Sequence, residues 1–421
     1  MIKRIILNDL KKHLLKKEFT LITGPRQAGK TTLMFLLQDH LLKKGEKSVF
    51  LNLDIESDRE FFKSQQSLVN KIRLELGSKG GFVFIDEIQR KENAGLFLKG
   101  IYDMMLPYKF IISGSGSIEL KEKMHESLAG RKRLFEVWTV SFLEFVNYRT
   151  NYKYEDRIDD FFEVETQKTK ELLIEYLHFG GYPRVITAES MKEKRMEMDE
   201  IYASYIEKDI SLLLNIEKTE KISALVKLLA YRTGKLVNYH EISNTLNLAT
   251  ETLKKYLWYL EKTFIINMLS PFFKNVKKEI TKSPIYYFHD MGLKNYASGY
   301  FTGYGDIAEP GFLFQNFIFN ILKNIFSSSG VSINFWRTLD KAEVDFIISA
   351  GDNIIPVEAK YQHMKSLQIT RSFRSFIEKY NPEKAFIINP GYNDSIKIGD
   401  TTVRFLPYYC LNENIFLENK K

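Results

Sequence analysis

The segment GPRQAGKT, Gly24 to Thr31, has the residue types and spacing that wrap a phosphate chain. Gly24 and Gly29 let backbone N–H groups close around phosphate oxygens, with Pro25, Arg26, Gln27 and Ala28 forming the loop between them. Lys30 sets a positive charge against the β- and γ-phosphates. Thr31 offers a hydroxyl to Mg2+, and Thr32 follows it. Fifty-six positions after Lys30, the run FVFIDE ends in Asp86 and Glu87. Asp86 is placed to hold the metal directly or through water, and Glu87 to polarise an attacking water. A further run, FIISGSGS, ends in small polar residues, of which Ser113 or Ser115 could reach the γ-phosphate or that water. The chemistry these residues predict is the binding of ATP with Mg2+ and its hydrolysis, with Lys30 and Glu87 in the reaction.

Such residues must be delivered to one place by strands and helices. Phe19–Thr23, Ser48–Leu53, Phe82–Ile85, Phe110–Ser113 and Leu134–Val140 read as short apolar strands, and Thr31–Leu42 carries helical periodicity. Strands alternating with helices predict a parallel sheet covered on both faces, with the strand ends meeting at the nucleotide. The N-terminal stretch reads as an amphipathic helix with Ile5, Ile6, Leu10, Leu14 and Leu15 on one side, packed on this sheet. A polar stretch from about 150 to 170 reads as a linker or surface insertion. Helices follow to about 230, interrupted by a turn at GGYPR, Gly180 to Arg184.

Residues from about 236 to 267 read as a helix-turn-helix, and the strand-like FIINML and YYFHD segments after it suggest a winged helix. Its second helix presents Thr250, Glu251, Lys254 and Lys255, and Lys274, Lys277 and Lys278 could form a basic wing. Lysines so placed would hold DNA phosphates with little sequence preference. Tyr256, Trp258 and Tyr259 on the same helix suit an internal packing module instead.

The 421-residue chain carries 61 basic and 53 acidic residues, a net charge of +8 that attracts polyanions such as nucleic acid or simply solvates the surface. Cys410 is the single cysteine, so neither an internal disulfide nor a cysteine-based zinc site is available. That fits a reducing cytoplasm. No apolar run is long enough to span a bilayer.

GPRQAGKTTL, IDEIQ, SGSGSIEL, ESLAGR, SFLEF and GGYPR occur in that order, followed by YIEKDI, YYFHDMGL, FWR, AEVDF and VEAK. The whole resembles the bacterial and archaeal AAA-type ATPases that carry a DUF4143 C-terminal region. The resemblance implies an ATPase of the extended AAA class with Asp86 and Glu87 as its Walker B pair. It also makes Arg131, in ESLAGR, a candidate phosphate-sensing or finger arginine, in its own subunit or a neighbour's; the alternative is a structural salt bridge.

AEVDF and PVEAK form a second constellation. Glu343 and Asp345 share one face of a strand, as do Glu358 and Lys360, and thirteen positions separate Asp345 from Glu358, enough for a hairpin. The pattern resembles the PD-(D/E)xK nuclease core, in which the carboxylates hold a metal and the lysine serves a water. Asp345 and Glu358 are thus tentative metal ligands beside Lys360, yet neutral Gln315 stands where that core has an acid on the preceding helix.

The fold expected is therefore α/β and multi-domain. A P-loop ATPase core spans 1–145, a helical lid or linker 146–225, a winged helix 226–290 and a nuclease-like α/β region 291–421. Three functions remain open: coupling of ATP to double-stranded DNA, a nucleotide-dependent switch with a protein partner and a nucleotide-dependent oligomer, and an ATP-regulated nuclease.

Overall fold

The computed structural model describes residues 1–115, 127–205, 219–272, 283–302, 309–327, 329–362, 364 and 366–417. Two compact units are interleaved along the chain. One comprises 1–144, 182–219 and 258–265, the other 145–181, 220–257 and 266–421.

The first unit is built on five parallel strands in the order β2-β3-β4-β1-β5: β1 Phe19–Gly24, β2 Ser48–Asn52, β3 Gly81–Asp86, β4 Tyr108–Ser115 and β5 Lys132–Glu136. Their apolar runs are continuous because both faces are covered. Leu21, Val83, Ile85, Phe110 and Ile112 enter one core with α3 (Gln65–Leu76) and α4 (Ala94–Asp103). Ile22, Phe84 and Ile111 point the other way, onto α2 (Lys30–Leu42) and α1 (Ile6–His13). The parallel sheet and both covers are as the alternation predicts. Leu10 and Leu14 anchor the N-terminal helix on α2, but Leu15 is 89% exposed and Ile5 54%, because α1 ends at His13 and begins after Ile5. The fifth strand stops at Glu136, short of the expected Val140.

The stretch expected as a linker is largely helical. Helices α6 (Ile158–Val164) and α7 (Thr166–Phe179) occupy it, following α5 (Phe142–Arg149), and Phe161 and Phe162 are buried among its charged residues. GGYPR then interrupts the helices, giving α8 (Pro183–Thr187) and α9 (Met191–Ala203). Its first glycine has a packing reason. Gly180 sits at φ 74°, and a Cβ there would meet Asp290 Oδ1 at 2.1 Å. The Asp290 carboxylate accepts from the Gly181 N–H at 2.7 Å and caps α13 (Met291–Ala297) through the Leu293 N–H at 3.0 Å. Asn295 donates to the carbonyls of Leu177 and His178, so the stretch from Leu177 to Gly181 and the stretch from Asp290 to Asn295 clasp each other within the second unit.

Also in the second unit, α10 (Glu220–Tyr231) precedes α11 (Tyr239–Leu246), which Asn238 caps by accepting from the N–H groups of His240 and Glu241. Helix α12 (Thr250–Lys262) follows, its residues from Trp258 onward counted with the first unit, and then come the antiparallel pair β6 (Ile266–Leu269) and β7 (Ile285–Phe288) of the second. The C-terminal part is a six-stranded mixed sheet in the order β12-β13-β11-β10-β9-β8. Its strands are β8 Ser332–Arg337, β9 Glu343–Ala350, β10 Asn353–Ala359, β11 Lys384–Asn389, β12 Asp394–Ile398 and β13 Thr401–Pro407. Helix α14 (Pro310–Ile325) precedes them, and α15 (Arg371–Tyr380) crosses between the parallel strands β10 and β11, burying Phe373, Phe376 and Ile377.

Candidate nucleotide site

Gly24 closes β1, and the loop to α2 turns beside it. At φ 150° a Cβ on Gly24 would lie 2.0 Å from the Val137 carbonyl oxygen, so only glycine lets the chain just after β5 pass so close. Gln27 and Gly29 hold positive φ, at 55° and 93°. Pro25 and Ala28 are buried, Arg26 and Gln27 half-buried, and Thr32 is exposed on the first turn of α2. Lys30 is only 6% exposed, and its ammonium donates to the carbonyls of Gly24 (3.1 Å) and Pro25 (2.7 Å), spanning the loop.

Parallel pairing of β1 with β4, and of β4 with β3, brings the strand ends together. Asp86, 1% exposed, is the meeting point. Its carboxylate accepts from the Thr31 hydroxyl at 2.7 Å, from the Ser113 hydroxyl and from the Glu87 N–H at 3.1 Å. Glu87 stands in the left-handed region at φ 57°, which swings its side chain off the strand axis, and Gln89 donates to it. Burial raises its carboxyl above the usual range, the Asp86 charge adds to that, and Lys30 opposes it. The arrangement offers an ammonium and an anion-facing helix N-terminus for phosphates, hydroxyl and carboxylate oxygens for a hard cation, and a carboxylate of raised basicity for a water.

Residues 16–146 match the family described as AAA domain, and residues 310–411 that described as Domain of unknown function (DUF4143). The chain carries an AAA domain followed by a DUF4143 domain. Residues 170–303, between them, match Domain of unknown function (DUF8612). An uncharacterised protein of Mycobacterium tuberculosis is 26% identical over 397 residues, covering 94% of this chain and 81% of the relative. One of Haemophilus influenzae is 24% identical over 400 residues, covering 93% of each. Among solved structures, the Aeropyrum pernix ORC1 protein in complex with DNA aligns at TM-score 0.31 and 11% identity, covering 70% of this chain and 91% of that one. AMPPCP-bound DnaA from Aquifex aeolicus aligns at TM-score 0.27 and 16% identity, covering 61% and 86%.

Within the AAA domain, Lys30, Thr31, Asp86, Glu87 and Ser113 converge. The side chain of Ser115 lies outside the described residues. Arg131 does not join the cluster. Its carbonyl accepts from the Phe19 N–H at the start of β1, about 16 Å of strand from Gly24. Its guanidinium bridges to Asp103 at 3.1 Å and lies over the Tyr102 ring. Pro183 stands near the loop, its Cγ 4.0 Å from where a Cβ on Gly29 would lie. Arg184, one position on, pairs with Glu197 and Glu200.

In the DUF4143 domain, Asp345, Glu358, Lys360 and Gln315 do come together, because β9 and β10 form a tight hairpin around Gly351 and Asp352. Their oxygens are already engaged. Asp345 accepts from the Gln315 amide at 2.7 Å and the Ala359 N–H at 2.8 Å; Glu358 accepts from Lys360 at 2.6 Å and from Thr370. Burial, with the Glu358 charge close by, pushes the Asp345 carboxyl well above the usual carboxylate range. With an amide donor aimed at one carboxylate and an ammonium on the other, the four side chains pair off in hydrogen bonds. Among the described residues no three His, Cys, Asp or Glu side chains are grouped to hold a metal. The cluster brings together the two carboxylates and the lysine of the nuclease pattern, with the neutral Gln315 amide where that pattern has a third acid.

No helix among the described residues is long and apolar enough to cross a membrane. On α12, Leu253, Tyr256 and Leu257 are buried, while Glu251, Lys254 and Lys255 are exposed, with Lys254 bridged to Glu251 at 3.0 Å. Lys274, Lys277 and Lys278 lie outside the described residues.

Proposed function

We propose that the AAA domain binds MgATP in the Gly24–Thr31 loop, hydrolyses it, and couples nucleotide state to double-stranded DNA. The observation that carries the ATPase reading is the Asp86 carboxylate, joined to Thr31 and Ser113 with Glu87 next in the chain. On ATP binding, the Lys30 ammonium exchanges the Gly24 and Pro25 carbonyls for phosphate oxygens. Thr31 and Asp86 would hold Mg2+, which would draw charge from the phosphate oxygens, and Glu87 would take a proton from the attacking water. Its raised carboxyl makes it a better base than a solvated glutamate.

The DNA reading is supported by the helix-turn-helix of α11 and α12 with the β6–β7 pair following, a winged-helix order, and by the exposed Lys254 and Lys255. Contacts from these lysines would go to phosphates, so affinity would fall steeply with salt. The test is phosphate release from MgATP with and without duplex DNA, for wild type and Lys30→Ala side by side. The reading expects release that Lys30→Ala abolishes and that DNA raises at low salt. Turnover indifferent to DNA, with no retention of DNA, would remove the DNA part and leave a nucleotide-dependent switch acting on a protein partner. No strand-scission step is assigned to Asp345, Glu358 and Lys360.

A further inference from the structure

Arg4, just ahead of α1, makes a buried connection to the phosphate loop. Its Nε donates to Glu144 Oε2 at 3.1 Å, Nη1 to the Ala28 carbonyl at 3.0 Å, and Nη2 to the carbonyls of Trp138 (2.7 Å) and Thr139 (3.3 Å). The two charged side chains are 9% and 6% exposed. Glu144, the acid of SFLEF, is fixed in turn by the N–H groups of Ile5 at 2.6 Å and Ser141 at 2.9 Å. A buried pair of this kind is costly to desolvate, and stability alone is a weak reason for one.

The geometry supplies a second reason. Peptide planes are rigid, and the described residues contain no cis bond, so the Ala28 carbonyl and the Gly29 N–H point in opposite directions. By holding that carbonyl outward, Arg4 turns the Gly29 N–H toward the inside of the loop, beside Lys30. The opposite orientation, open to a glycine peptide, would aim a carbonyl oxygen at the phosphates and repel them. A guanidinium suits the task because its rigid fork reaches four acceptors at once, and its charge polarises the peptide it holds.

We propose that Arg4 and Glu144 form a strut that sets the anion-facing amide of the phosphate loop, with Arg4 a positioning residue for nucleotide. The proposal rests on the reading that this loop binds ATP. It gives the N-terminal arginine and the SFLEF acid one shared role, linking segments far apart in sequence.

The test uses the full chain and two variants. Arg4→Lys keeps a charge opposite Glu144 but loses the fork. Arg4→Gln with Glu144→Gln removes both charges and leaves amides to satisfy the Ile5 and Ser141 N–H groups. Kd for a fluorescent ATP analogue is measured well below each protein's melting temperature, with Lys30→Ala as the control. In parallel, glycine-labelled protein reports the Gly29 amide resonance on adding MgATP. Both variants are expected to be folded, to bind at least tenfold more weakly than wild type, and to lose the Gly29 shift. Wild-type affinity with an intact Gly29 shift in either folded variant would overturn the proposal. Absence of binding by wild type and Lys30→Ala alike would remove the nucleotide reading, and the strut's role with it.

Discussion

Glu87 is held off its strand by a left-handed backbone and supported by Gln89, with its basicity raised by burial. Glu87→Gln keeps the shape and removes the proton acceptor. Phosphate release should fall by roughly 10²-fold or more while the affinity for ATP changes little; a Pi-release assay beside an ATP-binding titration checks both. At the other constellation, Gln315 donates to Asp345 where a nuclease has an acid. Gln315→Glu would set two carboxylates together, so the variant should melt below wild type without metal and regain stability with Mn2+ alone. Wild type should show no such Mn2+ effect, and melting curves with and without the ion decide it. Lys30, Thr31, Asp86 and Glu87 were legible because the chemistry is carried by a contiguous loop and by a strand that ends on an acid. Arg4 was not. Its partners lie 24 to 140 positions away, and a contact of that separation leaves no periodic mark on the chain.

At the scale of elements, the strands of the first sheet were readable as apolar runs because each is buried on both faces. The segment after residue 150 was misread because its acids and lysines outnumber the two phenylalanines, Phe161 and Phe162, that decide its burial. Element packing also carries a pH prediction. His13, at the end of α1, meets Thr20 of β1 at 2.8 Å and faces Lys109, with Lys16, Arg133 and Glu18 also near. Burial first, and then the Lys109 charge, bring its imidazole down to about 4. The folded chain therefore keeps His13 neutral where the unfolded chain protonates it. Stability from this group is present above about pH 6.5 and drains away as pH falls toward 4. The full shift would be worth about 3 kcal/mol, and solvent screening at a half-exposed ring reduces that to roughly 1 kcal/mol. Urea midpoints between pH 7.5 and 4.5 should fall less steeply for His13→Gln than for wild type.

On the whole-molecule scale, the α/β character and the order of P-loop sheet, helices and a C-terminal α/β region were legible from alternation and motif order. What was not legible is that the compact units are interleaved, because nothing in a local window tells which distant segment will close a core. Residues 182–219 and 258–265 belong with the first 144, and Pro183 stands near Gly29 of the phosphate loop. A fragment ending at residue 145 should therefore be less protected than the same residues in the full chain. Hydrogen exchange of the β1 and β4 amides measures this, and equal protection in both would refute it. A ribosome delivers the chain in one direction, so the phosphate loop emerges long before the segments that complete its unit. Unit one can begin to condense only provisionally during synthesis, and must wait for more than a hundred further residues, most of them destined for the other unit. Its nascent form would be a natural client for whatever shields exposed apolar strands in the cell that makes it.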